Sequence, residues 1–323
     1  MVRSKFLVAT SRVGLHEPGV NERASISLEE RMMQTADHAG GKQTLQGRSC
    51  LSARQERAAA ILSQCEVERR GLEIGPYFRP VTDSSLHDVL YVDCCDEGEL
   101  QRKFRENPKT AGEQLQPIDA VWAPGRPLSD CISHEPFYYA VASRVFEHVP
   151  NPLGWLQEIV NVLQPGSMIA LVIPDHRRTI DYYRKPTTFA QVMGWSVEKP
   201  VRPTPSQVME FLSESFEDDG AVDFNTGLPP FSELKRHYTD QDALGFAQFV
   251  EREKYYLDVH CTVWTPESFV DVFSRVIACD QLECELIGPQ EDFPGRAPEE
   301  FLVYLRKNKP AESNSPFASP VQS

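Results

Sequence analysis

Residues 142–174 read ASRVFEHVPNPLGWLQEIVNVLQPGSMIALVIP, and this stretch decides the fold. Leu153, Leu156, Ile159, Val160 and Leu163 fall on one face at the 3.6-residue period, so the spacing predicts a helix over Leu153–Leu163. Gln164-Pro165-Gly166 ends it, because Pro cannot donate to the helix ladder and Gly accepts the backbone of a closing turn. The unbroken apolar run Met168–Ile173 then reads as a strand covered on both faces. Strand, helix, Pro-Gly turn and strand make one βαβ step.

Outward from this step the pattern repeats. Short apolar runs at Leu72–Ile74, Val89–Val92, Ala120–Trp122 and Tyr138–Ala142 are strand candidates, and a helical stretch from Ser52 precedes the first. Repeated βαβ units imply a doubly wound α/β fold with a mainly parallel sheet. Residues 176–262 break the rhythm with Pro, aromatic and charged residues and read as an insertion, with helical candidates at 205–216 and 241–257. Thr265-Pro266 opens a further helix to Arg275, and Leu282–Ile287 with Glu300–Arg306 read as a closing antiparallel pair. Residues 1–50, which lack apolar periodicity, are expected to form a disordered N-terminal arm, 51–307 the folded domain with 176–262 as insertion or lid, and 308–323 a disordered tail.

The chain has 323 residues, 33 Lys and Arg against 47 Asp and Glu, a net charge of −14 and 41% hydrophobic residues. Such a surface does not favour phosphate backbones or anionic lipid, so no nucleic acid and no membrane partner is expected, and a small molecule fits better. No apolar run approaches the roughly 18 residues of a membrane span. The eight cysteines include the vicinal Cys94-Cys95, but no pair of CxxC elements that could close a tetrahedral zinc site. Reduced thiols, no metal and a cytoplasmic location are the expectation; Met1–Gly14, basic and free of acids, reads as a leader without structure. Homo-oligomerisation is left open.

Two motifs point to a nucleotide-like ligand. Leu72-Glu73-Ile74-Gly75 is an apolar strand that breaks at a glycine, where the backbone must turn sharply at the carboxyl edge of the sheet. The next strand ends in Asp93, and an acid there can accept both hydroxyl protons of a ribose.

The run Phe146-Glu147-His148-Val149-Pro150, the helix, Leu163-Gln164-Pro165-Gly166 and the strand Ile169–Pro174 together resemble the class I S-adenosylmethionine-dependent methyltransferases. The resemblance covers residues 70–175 well and 260–306 loosely. It implies a seven-stranded Rossmann-like sheet and S-adenosyl-L-methionine as cofactor. It also implies cofactor contacts from Glu73, Gly75, Pro76 and Tyr77, from Asp93 on the ribose, from Trp122 and Ala123 near the adenine, and from Ser143 and Arg144. The family's G-x-G-x-G becomes Gly75, Tyr77 and Arg79 here, and the stretch before the second strand leaves room only for a very short first helix.

Methyl transfer is an in-line displacement at a sulfonium carbon, so the protein has to align reactants and, for a protonated acceptor, supply a base. His148, His176 and His260 are the candidates, with Glu147 as orienter; packing behind the Trp264 segment is the plainer reading of His260. The expectation is a methyltransferase of a small molecule, at oxygen or nitrogen. The alternative is a methyltransferase-like scaffold that has lost its cofactor, for which Tyr77 and Arg79 speak. The segment Asp175–Arg184 reads equally as an acceptor grip or as an internal ion-pair network, and Cys94-Cys95 as a buried pair rather than a redox switch.

Overall fold

A computed structural model of the chain describes residues 52–106, 113–218 and 222–309. The N-terminal arm, and the tail beyond residue 309, lie outside the described residues. Seven strands form one sheet: β1 (Gly71–Ile74), β2 (Val89–Asp93), β3 (Ala120–Val121), β4 (Phe137–Ser143), β5 (Leu163–Pro174), β6 (Cys284–Gln290) and β7 (Glu300–Lys307). Their order is β3-β2-β1-β4-β5-β7-β6. The first five are parallel, and β7 enters antiparallel between β5 and β6.

Alternate residues go to opposite faces of the sheet. Leu72, Ile74, Ala140, Ala142, Ile169, Leu171 and Ile173 belong to a core shared with helices α3 (Pro152–Val162), α4 (Phe189–Glu198) and α7 (Pro266–Ala278). Tyr139, Val141, Ala170, Val172 and Tyr304 face the opposite layer, under α1 (Ala53–Leu62). Gly71 is required there, because a Cβ would lie 1.9 Å from the fully buried Tyr139 ring. Helix α2 (Glu97–Glu106) follows β2.

Three features differ from the expectation. No helix at all connects β1 to β2; instead the carboxylate of Glu73 accepts from Val81 N at 2.7 Å, Thr82 N at 2.8 Å and Thr82 Oγ1 at 2.6 Å, fixing an irregular loop. Strand β5 begins at Leu163, so the Pro-Gly turn lies inside a strand; Gly166 has φ +86°, and the β4–β5 register shifts between Phe137 and Tyr139. The segment 176–262 is divided. Val192 of α4 joins the main core, whereas α5 (Pro205–Glu214) and α6 (Asp240–Glu253) share a separate cluster of Val208, Phe211, Leu212, Ala243 and Val250. Among the described residues no helix is long and apolar enough to cross a membrane. The seven described cysteines are free.

Candidate active site

The strand order reverses between β1 and β4, and in such sheets ligands bind beyond the carboxyl ends at that crevice. Gly75 turns there at φ +65°, with Pro76 behind it; Tyr77 at φ 46° and Arg144 at φ 60° are left-handed without being glycine. Such a conformation costs about 1–2 kcal/mol for a residue with a Cβ and tends to concentrate at sites.

Asp93 ends β2 with no exposed surface. Its Oδ1 accepts from Cys94 N at 2.7 Å, and its Oδ2 has no hydrogen-bond partner among the described residues. Burial pushes this carboxyl up to about 6. An orphaned acceptor at the second strand is what a ribose hydroxyl would satisfy, so the donor set fits the adenosyl group implied by the sequence.

The edge is closed over. Tyr77 is buried, its ring 5.0 Å from Phe78 and 6.1 Å from Phe104 in a cluster with Cys95 and Leu100. Glu73 is buried behind the loop it holds. Trp122 stacks on Trp155 at 5.8 Å and donates Nε1–H to the Arg126 carbonyl, and Ala123 lies in the turn closed by Arg126 N. Arg79 pairs with Glu113 at 3.0 Å on the surface. Ser143 Oγ accepts from Arg57 Nη2 at 2.9 Å, and the same guanidinium grips Glu300, which ties α1 to the β4 and β7 ends. Sequence reasoning had no signal for Arg57.

Beyond β4, a short 3-10 turn, Phe146–His148, presents Glu147 and His148. Phe146 anchors it among Trp155, Trp264, Phe269 and Phe273, with ring centroids 5.8–6.0 Å apart. His148 Nδ1 lies 3.0 Å from Asp258 Oδ1. Burial disfavours the His148 cation, but the Asp258 carboxylate outweighs it and holds His148 above its ordinary value. His260 meets His148 edge to face at 4.7 Å, and its Nδ1 bonds Asp181 Oδ2. Burial opposes ionisation of Asp181, yet His260 and Arg184 hold it well below the usual carboxylate range; Arg184 Nη1 is 2.8 Å away.

Glu147 and His148 therefore meet, and His260, the third candidate base with packing as its plainer reading, joins them. Asp258 went unnoticed, and Asp181 and Arg184 were read only as part of the Asp175–Arg184 segment, not as partners of His260. The alternation Asp258-Val259-His260 was the available signal, since residues two apart in an extended segment share a side. Much of the Asp175–Arg184 segment is an ion-pair network, with Arg177 on Asp175 at 2.6 Å and Arg184 on Asp181. His176 Nδ1 sits 3.2 Å from the Asp181 carbonyl, and burial lowers this ring below its ordinary 6.5. His176, Arg178, Tyr182, Phe224 and Arg296 line a cleft of about 770 Å³ beyond the β5 end.

Strand order, register and the single reversed β7 define a Rossmann-like fold of the class I S-adenosylmethionine-dependent methyltransferase type. No family model matches the sequence, and no curated protein matches it. Solved structures overlap it in part. The plantazolicin methyltransferase BpumL, solved with SAH, is 11% identical, with 80% of this chain and 83% of that one covered and a TM-score of 0.38. The CcbJ methyltransferase from Streptomyces caelestis is 10% identical over 83% of this chain and 100% of that one, TM-score 0.39. A Rhodobacter sphaeroides structure described as a zinc-dependent alcohol dehydrogenase is 13% identical over 78% and 90%, TM-score 0.42.

Proposed function

We propose that the chain is an S-adenosyl-L-methionine-dependent methyltransferase acting on a small molecule at oxygen or nitrogen. The observation that carries this reading is the orphaned Asp93 Oδ2 at the end of β2, beside the left-handed Gly75 turn of the switch-point crevice. The cofactor, when bound, supplies the electrophilic methyl group. Asp93 would accept from its ribose hydroxyls, the Gly75-Pro76 turn would approach its amino-acid end, and Ser143 and Arg144 would close the β4 side. Because Asp93 and Tyr77 are buried, entry requires the Tyr77 loop to swing out.

The acceptor belongs in the cleft beyond β5, whose volume suits a small molecule. His176 on its wall is held neutral by burial, which makes it a competent base for an acceptor proton near pH 7. Glu147 and His148 stand at the β4 end, between cofactor and acceptor in this reading. Incubation with methyl-labelled S-adenosylmethionine and a panel of hydroxylated and amine acceptors, read by mass spectrometry, tests the proposal. Label transfer that is lost in Asp93→Ala supports it; absence of transfer together with absence of cofactor binding overturns it.

A further inference from the structure

Glu147, His148 and His260 bring one carboxylate oxygen and one nitrogen from each ring within 4.8 Å of one another, all three side chains buried. A second carboxylate stands behind each imidazole: Asp258 on Nδ1 of His148, and Asp181 on Nδ1 of His260. A carboxylate in that position accepts a hydrogen bond from Nδ1–H and fixes the tautomer whose Nε2 carries the lone pair for a Lewis acid, the arrangement that orients metal-binding histidines. In His148 it is Nε2 that approaches Glu147, at 3.9 Å from Oε1, and Glu147 Oε2 has no hydrogen-bond partner among the described residues.

Charge points the same way. Three buried carboxylates, those of Glu147, Asp181 and Asp258, crowd the two imidazoles, with the buried guanidiniums of Arg144 and Arg184 beside Glu147 and Asp181. Buried negative charge is costly unless a cation balances it.

We propose that Glu147, His148 and His260 bind one divalent transition-metal ion. Two imidazoles and a carboxylate suit Zn²⁺, Mn²⁺, Fe²⁺ or Co²⁺ rather than Ca²⁺ or Mg²⁺. Closing the donors to about 2.0–2.2 Å from one ion requires side-chain shifts of about 1 Å. Three protein ligands leave positions open, and the substrate class that follows is a hydroxyl-bearing acceptor. This last step rests on the methyltransferase reading. The acceptor oxygen, acidified at the ion, would form the bond to the methyl carbon as the methyl–sulfur bond breaks; the electron pair stays on sulfur and the hydroxyl proton passes through the cleft to His176.

The test is direct binding to the full-length chain after chelator treatment, with no cofactor present. Titration with Co²⁺ is followed by its d–d absorption, and with Zn²⁺ by calorimetry. One equivalent per chain is expected, with affinity reduced at least about tenfold in Glu147→Gln and about a hundredfold in His260→Gln, and about tenfold in Asp258→Asn through its hold on His148. Metal-free unfolding curves of each variant show whether it folds, and Glu147→Gln keeps the side-chain shape. The double variant Cys94→Ser/Cys95→Ser should bind as the parent does. No uptake, uptake indifferent to the Glu147 and His260 variants, or uptake lost with the two thiols each overturns the proposal. A parallel titration of metal-free protein with S-adenosylhomocysteine separates the failures: cofactor binding without metal binding sinks this inference and leaves the methyltransferase reading in place.

Discussion

Asp258 Oδ1 lies 3.0 Å from Nδ1 of His148, joining the end of the inserted segment to the turn after β4 across 110 positions of sequence. Both side chains are buried, so neither has bulk water to fall back on. Removing one partner of a buried charged pair costs about 3–5 kcal/mol. Asp258→Ala should lower the unfolding free energy by about that amount in urea denaturation at neutral pH. A loss well under 1 kcal/mol would show the contact to be incidental.

Asp93 is expected to be a residue that weakens the fold. Its carboxyl is raised from 3.8 to about 6, chiefly by burial. The native state therefore holds the proton more tightly than the unfolded chain, and stability contributed by the neutral acid falls as pH rises from about 4 to about 6, by about 3 kcal/mol in all. Asp93→Asn should flatten that slope, matching the parent near pH 4 and exceeding its stability near pH 7.5. Denaturation curves across this range check it; a less stable variant at the higher pH contradicts it.

His176 carries the pH dependence of transfer in this account. Because burial lowers its pKa below 6.5, kcat/KM should rise with pH through an inflection below that value and stay level above it. His176→Gln should remove the limb along with most of the rate. An inflection above 6.5 in the parent, or an unchanged limb in the variant, assigns the base elsewhere.

Glu73 replaces a helix with three hydrogen bonds. Charge-assisted bonds to buried donors are worth about 1.5–3 kcal/mol each before relaxation. Glu73→Ala strands the N–H groups of Val81 and Thr82 and should cost about 3 kcal/mol, with faster amide exchange confined to residues 76–88 as the local signature. Exchange unchanged in that loop would mean that Glu73 does not hold it.

The sequence was legible where apolar periodicity and local capping set the structure. The strands around Leu72–Ile74 and Met168–Ile173, the helix after Asn151 and the Thr265-Pro266 start all follow from patterns within a few residues, and so did the closing antiparallel pair. Helix α2 was missed because Leu100 and Phe104 are its main apolar contacts, and α4 because Gly194 and the preceding Pro186 mask its stripe. At the site, Gly75 and Asp93 stood out because each ends an apolar run, and Glu147 and His148 because Phe146–Pro150 resembles the methyltransferase motif. Arg57, Asp258 and the pairing of Asp181 with His260 did not. Their partners lie 86 residues away for Arg57 and Ser143, and 79 for Asp181 and His260, and nothing in local spacing encodes such pairs.

Calorimetric titration of the metal-free protein with S-adenosylhomocysteine tests the central claim most directly. The account predicts saturable binding that raises the unfolding temperature, weakened at least about tenfold in a folded Asp93→Asn variant because the ribose loses its charged acceptor. Absence of heat and of thermal stabilisation at high ligand concentration, or affinity indifferent to Asp93, would contradict it.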